Sequence, residues 1–400
     1  MSTQRPAVRV THPRGPGKQT EPDLSAAQVL DGALAALAEH VQLSRPPQAD
    51  YGPAEIFSVL LYAAAHRTTI EQGCAALAEA PHPNTVRGAL ALVEVAELED
   101  QLNEALACSL PRTLGKRPLE VAVNLKLIPY YGKAQPGEEE FLLKGKPKQG
   151  TSTFFAYASF YLIKKNKRYT LAVVAVRRKE GMVGVLRRLW LYWLQLGFEL
   201  CCLYLDRGFY GVALLRWLIV KGLSFALAAP KQGKQGGING LIERLGPGVW
   251  PYILRSPKAG SLAVEVAVVG KYLQGRWGKR GRQRYAFVIH RFPFALSALW
   301  GKYRRRFGIE SSQRVWEQAR ARTASRRAGL RLLLLGIAVV LHNLWVWLKW
   351  AVVSWPGRGR GGREVWSKGL RFMRLLLFLA RAIERRLGTV ELLILPVKVT

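Results

Sequence analysis

Two kinds of hydrophobic spacing divide the chain. From Ser25 to Leu43 and from Ala54 to Ala65 apolar residues recur at intervals of three and four, the spacing of amphipathic helices. Thr69–Leu77 and Pro81–Leu90 read as helix, turn, helix, with Asn84 or Thr85 opening the second helix and Arg87 near its start. A helical domain over residues 21–115 is therefore expected. At Leu119 the period changes. Leu119, Val121, Val123, Leu125 and Leu127 alternate with Glu120, Ala122, Asn124 and Lys126, as on a half-buried strand. Strands over Phe154–Lys164 and Tyr169–Arg178, a helix over Met182–Leu196, a strand over Glu199–Leu205, a helix from Val212 and a strand over Ser224–Ala229 follow. That order predicts a mixed α/β sheet with flanking helices over residues 116–229.

Beyond Ala229 the pattern is less regular. Residues 230–293 alternate glycine-rich turns with short strands, such as Leu262–Val269 and Tyr285–Ile289, which predicts a small all-β insertion. Residues 294–355 return to helical spacing. Within them Leu332–Leu348 is Leu-rich, interrupted by His342 and Asn343 and flanked by Arg331 and Lys349. It is short for a membrane span and reads as a buried helix. The last region, 356–400, opens on the basic loop Gly357–Arg363 and continues as a Leu- and Arg-rich helix over Lys368–Leu387. Residues 1–20 read as a flexible basic arm with no apolar core of a signal peptide.

Composition narrows the partner. The 60 Lys and Arg against 27 Asp and Glu leave a formal charge of +33, spread over the whole chain, with 49% hydrophobic residues supplying ample core. Such an excess implies a polyanion, because Lys and Arg that neutralise phosphates release condensed counterions. An anionic membrane surface explains it less well, since no single basic amphipathic helix dominates the charge. Cys74, Cys108, Cys201 and Cys202 make neither a C-x-x-C pair nor a Cys/His zinc spacing, which fits a reducing cytoplasm. Arg87 would then contact DNA from a recognition helix, or else belong to a plain helical bundle. The loop Gln274–Arg284 joins Arg276, Arg280, Arg282 and Arg284 to one aromatic, Trp277. Trp277 either stacks a displaced base beside Arg280 or packs on the strand pair.

The candidate chemistry begins at Leu203-Tyr204-Leu205-Asp206-Arg207-Gly208-Phe209-Tyr210. Asp206 lies where a buried strand stops, a place that can present a carboxylate to a ligand or cap the next helix. About a hundred residues later Tyr303, Arg306, Glu310, Arg314 and Glu317 follow at intervals of three and four, so one helix would line them on one face. By spacing alone that face could be a solvated ion-pair ladder. The two runs together resemble the second and third acidic signatures of DDE transposases of insertion sequences. Leu119–Gly132, ending Ile128-Pro129-Tyr130-Tyr131-Gly132, resembles the first, with Asn124 where the family has Asp.

The resemblance implies an RNase H-like core, interrupted by the β insertion between the second and third acids and preceded by the helical DNA-binding domain. It implies Asn124, Asp206 and Glu310 as catalytic and metal-ligating positions, with Mg²⁺, or Mn²⁺ in its place, as cofactor. It further implies double-stranded DNA, both transposon ends and target, as partner, a homodimer in the DNA complex, no membrane, and a nucleoid-associated place in the cytoplasm. Arg207, Arg306 and Arg314 would meet phosphates, and Tyr303 would position the DNA backbone. Carboxylates suit this work because Mg²⁺ wants oxygen ligands. Asn124 brings an oxygen without charge, so a chain with this residue is expected to cut DNA weakly or not at all. Glu120 cannot replace it, being four residues and roughly 13 Å away at about 3.3 Å per residue. The rival expectation is a non-catalytic DNA-binding protein derived from such an enzyme.

Overall fold

The computed structural model describes residues 24–44, 49–91, 94–164, 167–230, 237–274, 280–352, 354–356, 363–365 and 369–391. The basic arm, Trp277 and the loop 357–362 lie outside them. The chain divides into two compact units. The first comprises residues 1–111, 132–138 and 312–400, the second residues 112–131 and 139–311.

The first unit is helical. Its N-terminal part holds α1 (Ala26–Ala38), α2 (Pro53–His66), α3 (Ile70–Ala76), α4 (Pro83–Ala89) and α5 (Val95–Cys108). Ser25 and Gln28 close a capping box on α1, each side chain accepting from the other's backbone N–H. The expected segment 21–115 is not a domain by itself. Two helices from the other end of the chain, α11 (Ala328–Ala351) and α12 (Phe372–Leu387), pack against α1, α2 and α5 and complete the core. The apolar α11 has no large polar face because it is surrounded: it is long enough to cross a membrane, yet 83% of its most apolar stretch is buried within the protein. Its polar interruption Asn343 is buried and donates to Ser109 Oγ on the segment after α5. Gly336 is what lets α11 approach α5, since a Cβ there would lie 2.5 Å from both methyls of Leu102.

The second unit is built on one nine-stranded sheet. Its strands are β1 (Leu119–Pro129), β2 (Leu142–Lys148), β3 (Thr151–Leu162), β4 (Thr170–Ala175), β5 (Leu200–Leu205), β6 (Phe225–Ala228), β7 (Gly248–Ser256), β8 (Gly260–Gln274) and β9 (Arg280–His290). The order is β2-β3-β1-β5-β6-β9-β8-β7, with β4 also paired to β3. The meander β1, β3, β4 and the parallel pairs β1–β5 and β5–β6 fit the predicted RNase H-like core. The β-rich stretch is not a separate all-β insertion. Strand β9 pairs along β6, so β7 to β9 widen the same sheet, and the stretch also contains helix α8 (Ile238–Arg244). Strand β2 has no counterpart in the expected pattern.

Helices α6 (Gly181–Gln195) and α7 (Val212–Val220) pack on each other and on the sheet, Trp193 of α6 meeting Phe160 edge-on. The opposite face carries Ala122, Tyr161, Cys202, Tyr204, Ala226 and Phe287, covered by Leu299 and Tyr303 of α9 (Leu296–Arg304) and Ile309 of α10 (Gly308–Trp316). The expected single helix through Tyr303 and Glu317 is broken by a 3₁₀ turn at Arg305–Phe307.

Candidate functional site

Alternation along the strands decides which side chains can meet. Residue 122 pairs with 204 across the parallel β1–β5 ladder, so two residues further on Asn124 and Asp206 stand at one level. Both rise from the face that α9 covers, on strands about 4.8 Å apart. Asn124 is buried, paired in register with Ser159 of β3. Asp206 continues β5 in extended conformation, and its Oδ1 accepts from the Arg207 N–H at 2.8 Å, opening the 3₁₀ turn Arg207–Phe209. The two readings of Asp206 thus coincide: it caps a turn and is presented at a strand end.

Glu310 arrives from the other side of the sequence through two anchors. Tyr161 on β3 donates to the Gly308 carbonyl at 3.3 Å, and Ile309 is buried in the core beneath. Glu310 itself remains about half exposed, its side chain at 48% against 44% for Asp206. Between the two carboxylates lies Arg306, with only 4% of its side chain exposed. Its Nη2 is 3.4 Å from Asp206 Oδ1 and 3.9 Å from Glu310 Oε1. The guanidinium also lies over the rings of Tyr303 and Phe307, at 5.4 and 5.0 Å. Its Nε and Nη1 find no acceptor among the described residues.

Two expected DNA contacts are therefore corrected. Arg306 is buried under the carboxylates and aligns them, so it does not face a phosphate. Tyr303 is buried too, and its hydroxyl donates to the Leu205 carbonyl at 2.9 Å, pinning the strand end that presents Asp206. Burial pushes its phenol above the ordinary range, against the opposing influence of Arg306. Arg87 is also displaced from its expected place at the helix start. Helix α4 starts at Pro83 behind an N-cap at His82, which puts Arg87 in the last turn of a seven-residue helix. There its Nη2 meets Glu71 Oε2 on α3 at 2.6 Å. Arg207 and Arg314 are exposed, as a phosphate contact requires. Arg280 begins β9, while Trp277 falls outside the described residues.

One cluster was not foreseen. Glu120 accepts from Tyr204 Oη and from Lys302 Nζ, both at 2.7 Å, and the Lys302 ammonium lies 3.6 Å from the Phe294 ring centre. One carboxylate oxygen of Glu120 thus ties β1 to β5 through Tyr204 and the other tethers α9 to the sheet through Lys302, a second reason, besides distance, why it does not stand in for Asn124. Burial, reinforced by Cys202 and the acceptor Glu120, pushes the Tyr204 phenol far up, so it remains a donor. The sequence signal was the Lys302–Tyr303 pair, whose side chains serve the same helix-to-sheet joint.

Asn124, Asp206 and Glu310 offer only oxygen donors, the chemistry Mg²⁺ prefers. Two of the three are charged, and Arg306 already neutralises one of those charges. This set as it stands does not fit a pair of divalent ions. Among the described residues no group of three His, Cys, Asp or Glu is placed to hold a metal.

No family model and no curated protein matches the chain. It is similar to a solved piggyBac transposase synaptic complex with hairpin DNA at 11% identity and a TM-score of 0.48, over 92% of this chain and 82% of that one. A likeness of that size does not establish a shared fold.

Proposed function

We propose that this chain is a DNA-binding protein of the DDE transposase type, acting on transposon ends, whose strand cleavage is crippled at Asn124. The observation that carries the reading is the meeting of Asp206 and Glu310 at one buried arginine, beside the strand level of Asn124. Residues 104 positions apart in sequence, singled out by two separate motifs, converge on the carboxyl end of β5. A solvated ion-pair ladder on one helix would have had no reason to take a carboxylate from the sheet. The charge of +33 supplies the affinity for phosphates. Asp206 and Glu310 would address the scissile phosphodiester, with Arg306 and Tyr303 holding them in place.

A second reading, a DNA-binding protein that has given up chemistry, is favoured by Asn124 together with the charge compensation at Arg306. The deciding experiment compares nicking of a transposon-end duplex in Mg²⁺ by the chain as written and by Asn124→Asp. Restoring the third carboxylate is expected to raise cutting at least a hundredfold, about 2.7 kcal/mol of transition-state stabilisation. Asp206→Ala in that background should abolish cutting and leave DNA binding intact. Equal cutting by both chains would show that the first acidic position lies elsewhere. No cutting by either would establish the second reading.

A further inference from the structure

The β2–β3 hairpin carries an unassigned surface. Strand β2 ends the sheet, with β3 on one side only. Lys144 pairs with Thr153 and Lys148 with Thr151 across a bulge, so both lysines rise from one face, with Lys146 between them. All three are exposed. By register that face is the one bearing Asn124: Thr151 and Thr153 share the parity of Ser159, the partner of Asn124 on β3. Thr153 and Ser159 are six residues apart, about 20 Å along an extended strand. Beside the tip stands Tyr131, 70% exposed. Its hydroxyl donates at 2.6 Å to the carbonyl of Gln149, in a turn where Gln149 and Gly150 both have positive φ. The hydroxyl is therefore tethered to the turn while most of the ring stays exposed.

Lysines on an edge strand also serve to discourage pairing with another sheet. That role needs no exposed aromatic, and it does not explain a tyrosine tied to the same turn. Of the acidic residues preceding β2, Glu140 faces Arg177 at 3.9 Å and Glu138 accepts from the Ala328 N–H.

We propose that this hairpin is a DNA clamp. Lys144, Lys146 and Lys148 follow the phosphate backbone, and Tyr131 stacks on an end base or sugar of the same DNA, about 20 Å along the sheet face from the candidate site. This rests on the DNA-binding reading above and adds the surface that guides the strand. A tethered, exposed aromatic beside exposed ammonium groups is the combination that tracks nucleic acid without reading its sequence.

The test is duplex binding as a function of salt, using a blunt 20-base-pair duplex of arbitrary sequence. The unaltered chain, a hairpin variant with Lys144, Lys146 and Lys148 changed to Gln, and a control with Lys179, Arg187 and Lys258 changed to Gln are compared. Matching thermal melts establish that all are folded. The hairpin variant is expected to lose about 2–3 from the log–log salt slope, at roughly 0.9 per phosphate contact, and the control less than about 1. Tyr131→Ala should weaken binding about tenfold, and Tyr131→Phe, which keeps the ring, hardly at all. Equal losses in the hairpin and control variants overturn the clamp while leaving the DNA-binding reading intact. Equal weakening by Tyr131→Ala and Tyr131→Phe overturns the stacking role. If the unaltered chain does not bind duplex at all, the DNA-binding reading falls and the clamp with it.

Discussion

Arg306 illustrates what spacing can and cannot say about one residue. Intervals of three and four correctly put Tyr303, Arg306 and Glu310 near one another, but a stripe has no sign: it does not tell which end turns inward. The 3₁₀ turn at Arg305–Phe307 rotates the stripe, so Tyr303 and Arg306 go under and Glu310 stays at the surface. Arg306→Met is expected to leave the salt slope of DNA binding unchanged, where loss of a phosphate contact would reduce it by about 0.9. It should lower stability by about 1–2 kcal/mol through lost packing and the exposed, screened repulsion of two carboxylates, read as a lower urea midpoint. A reduced slope with an unchanged midpoint would return Arg306 to the DNA. Asp206 was legible because a buried run, a polar stop and a glycine turn are local. Asn124 was legible only by likeness, since one amide on a strand has no pattern of its own.

Elements were read well where their period was long and poorly where their partners were distant. The strand at Leu119 and the helices at Ala26 and Pro53 follow from alternation and caps. Strand β2 escaped because Gly145 and Pro147 interrupt its alternation and most of its residues are exposed. Strands β7 to β9 were seen as strands, but their joining of the main sheet depends on β9 finding β6, a pairing some sixty residues apart that no local pattern encodes. Helix α11 shows the same limit from the other side: its apolar run announces burial without naming the neighbour. That neighbour includes α5, whose Leu102 fills the space a side chain at Gly336 would need. Gly336→Val is expected to cost about 2 kcal/mol by overpacking, although replacing a glycine inside a helix is ordinarily favourable. Thermal unfolding should show the loss, and Leu102→Ala in the same chain should recover part of it. A Gly336→Val protein as stable as the original would mean that α11 and α5 do not approach this closely.

At the scale of the whole molecule the chain passes between its two units four times, at residues 111–112, 131–132, 138–139 and 311–312. Neither unit is a continuous segment. A fragment of residues 21–115 is therefore expected to be largely unfolded by circular dichroism, because α1, α2 and α5 would expose the apolar surface that α11 and α12 bury. A cooperative melt of that fragment would vindicate the contiguous N-terminal domain that helical spacing suggests. By itself the sequence determined the number and kind of most elements, the strong positive charge and the two acidic runs, since periodicity, composition and short motifs are all written within a few turns or strands. Tertiary structure alone decided that the two ends of the chain share one helical core, that the β-rich stretch widens the central sheet, and that Arg306 faces Asp206 and Glu310. Those outcomes depend on which surfaces bury each other across hundreds of residues, where the free energy comes from packing and desolvation rather than from any local preference.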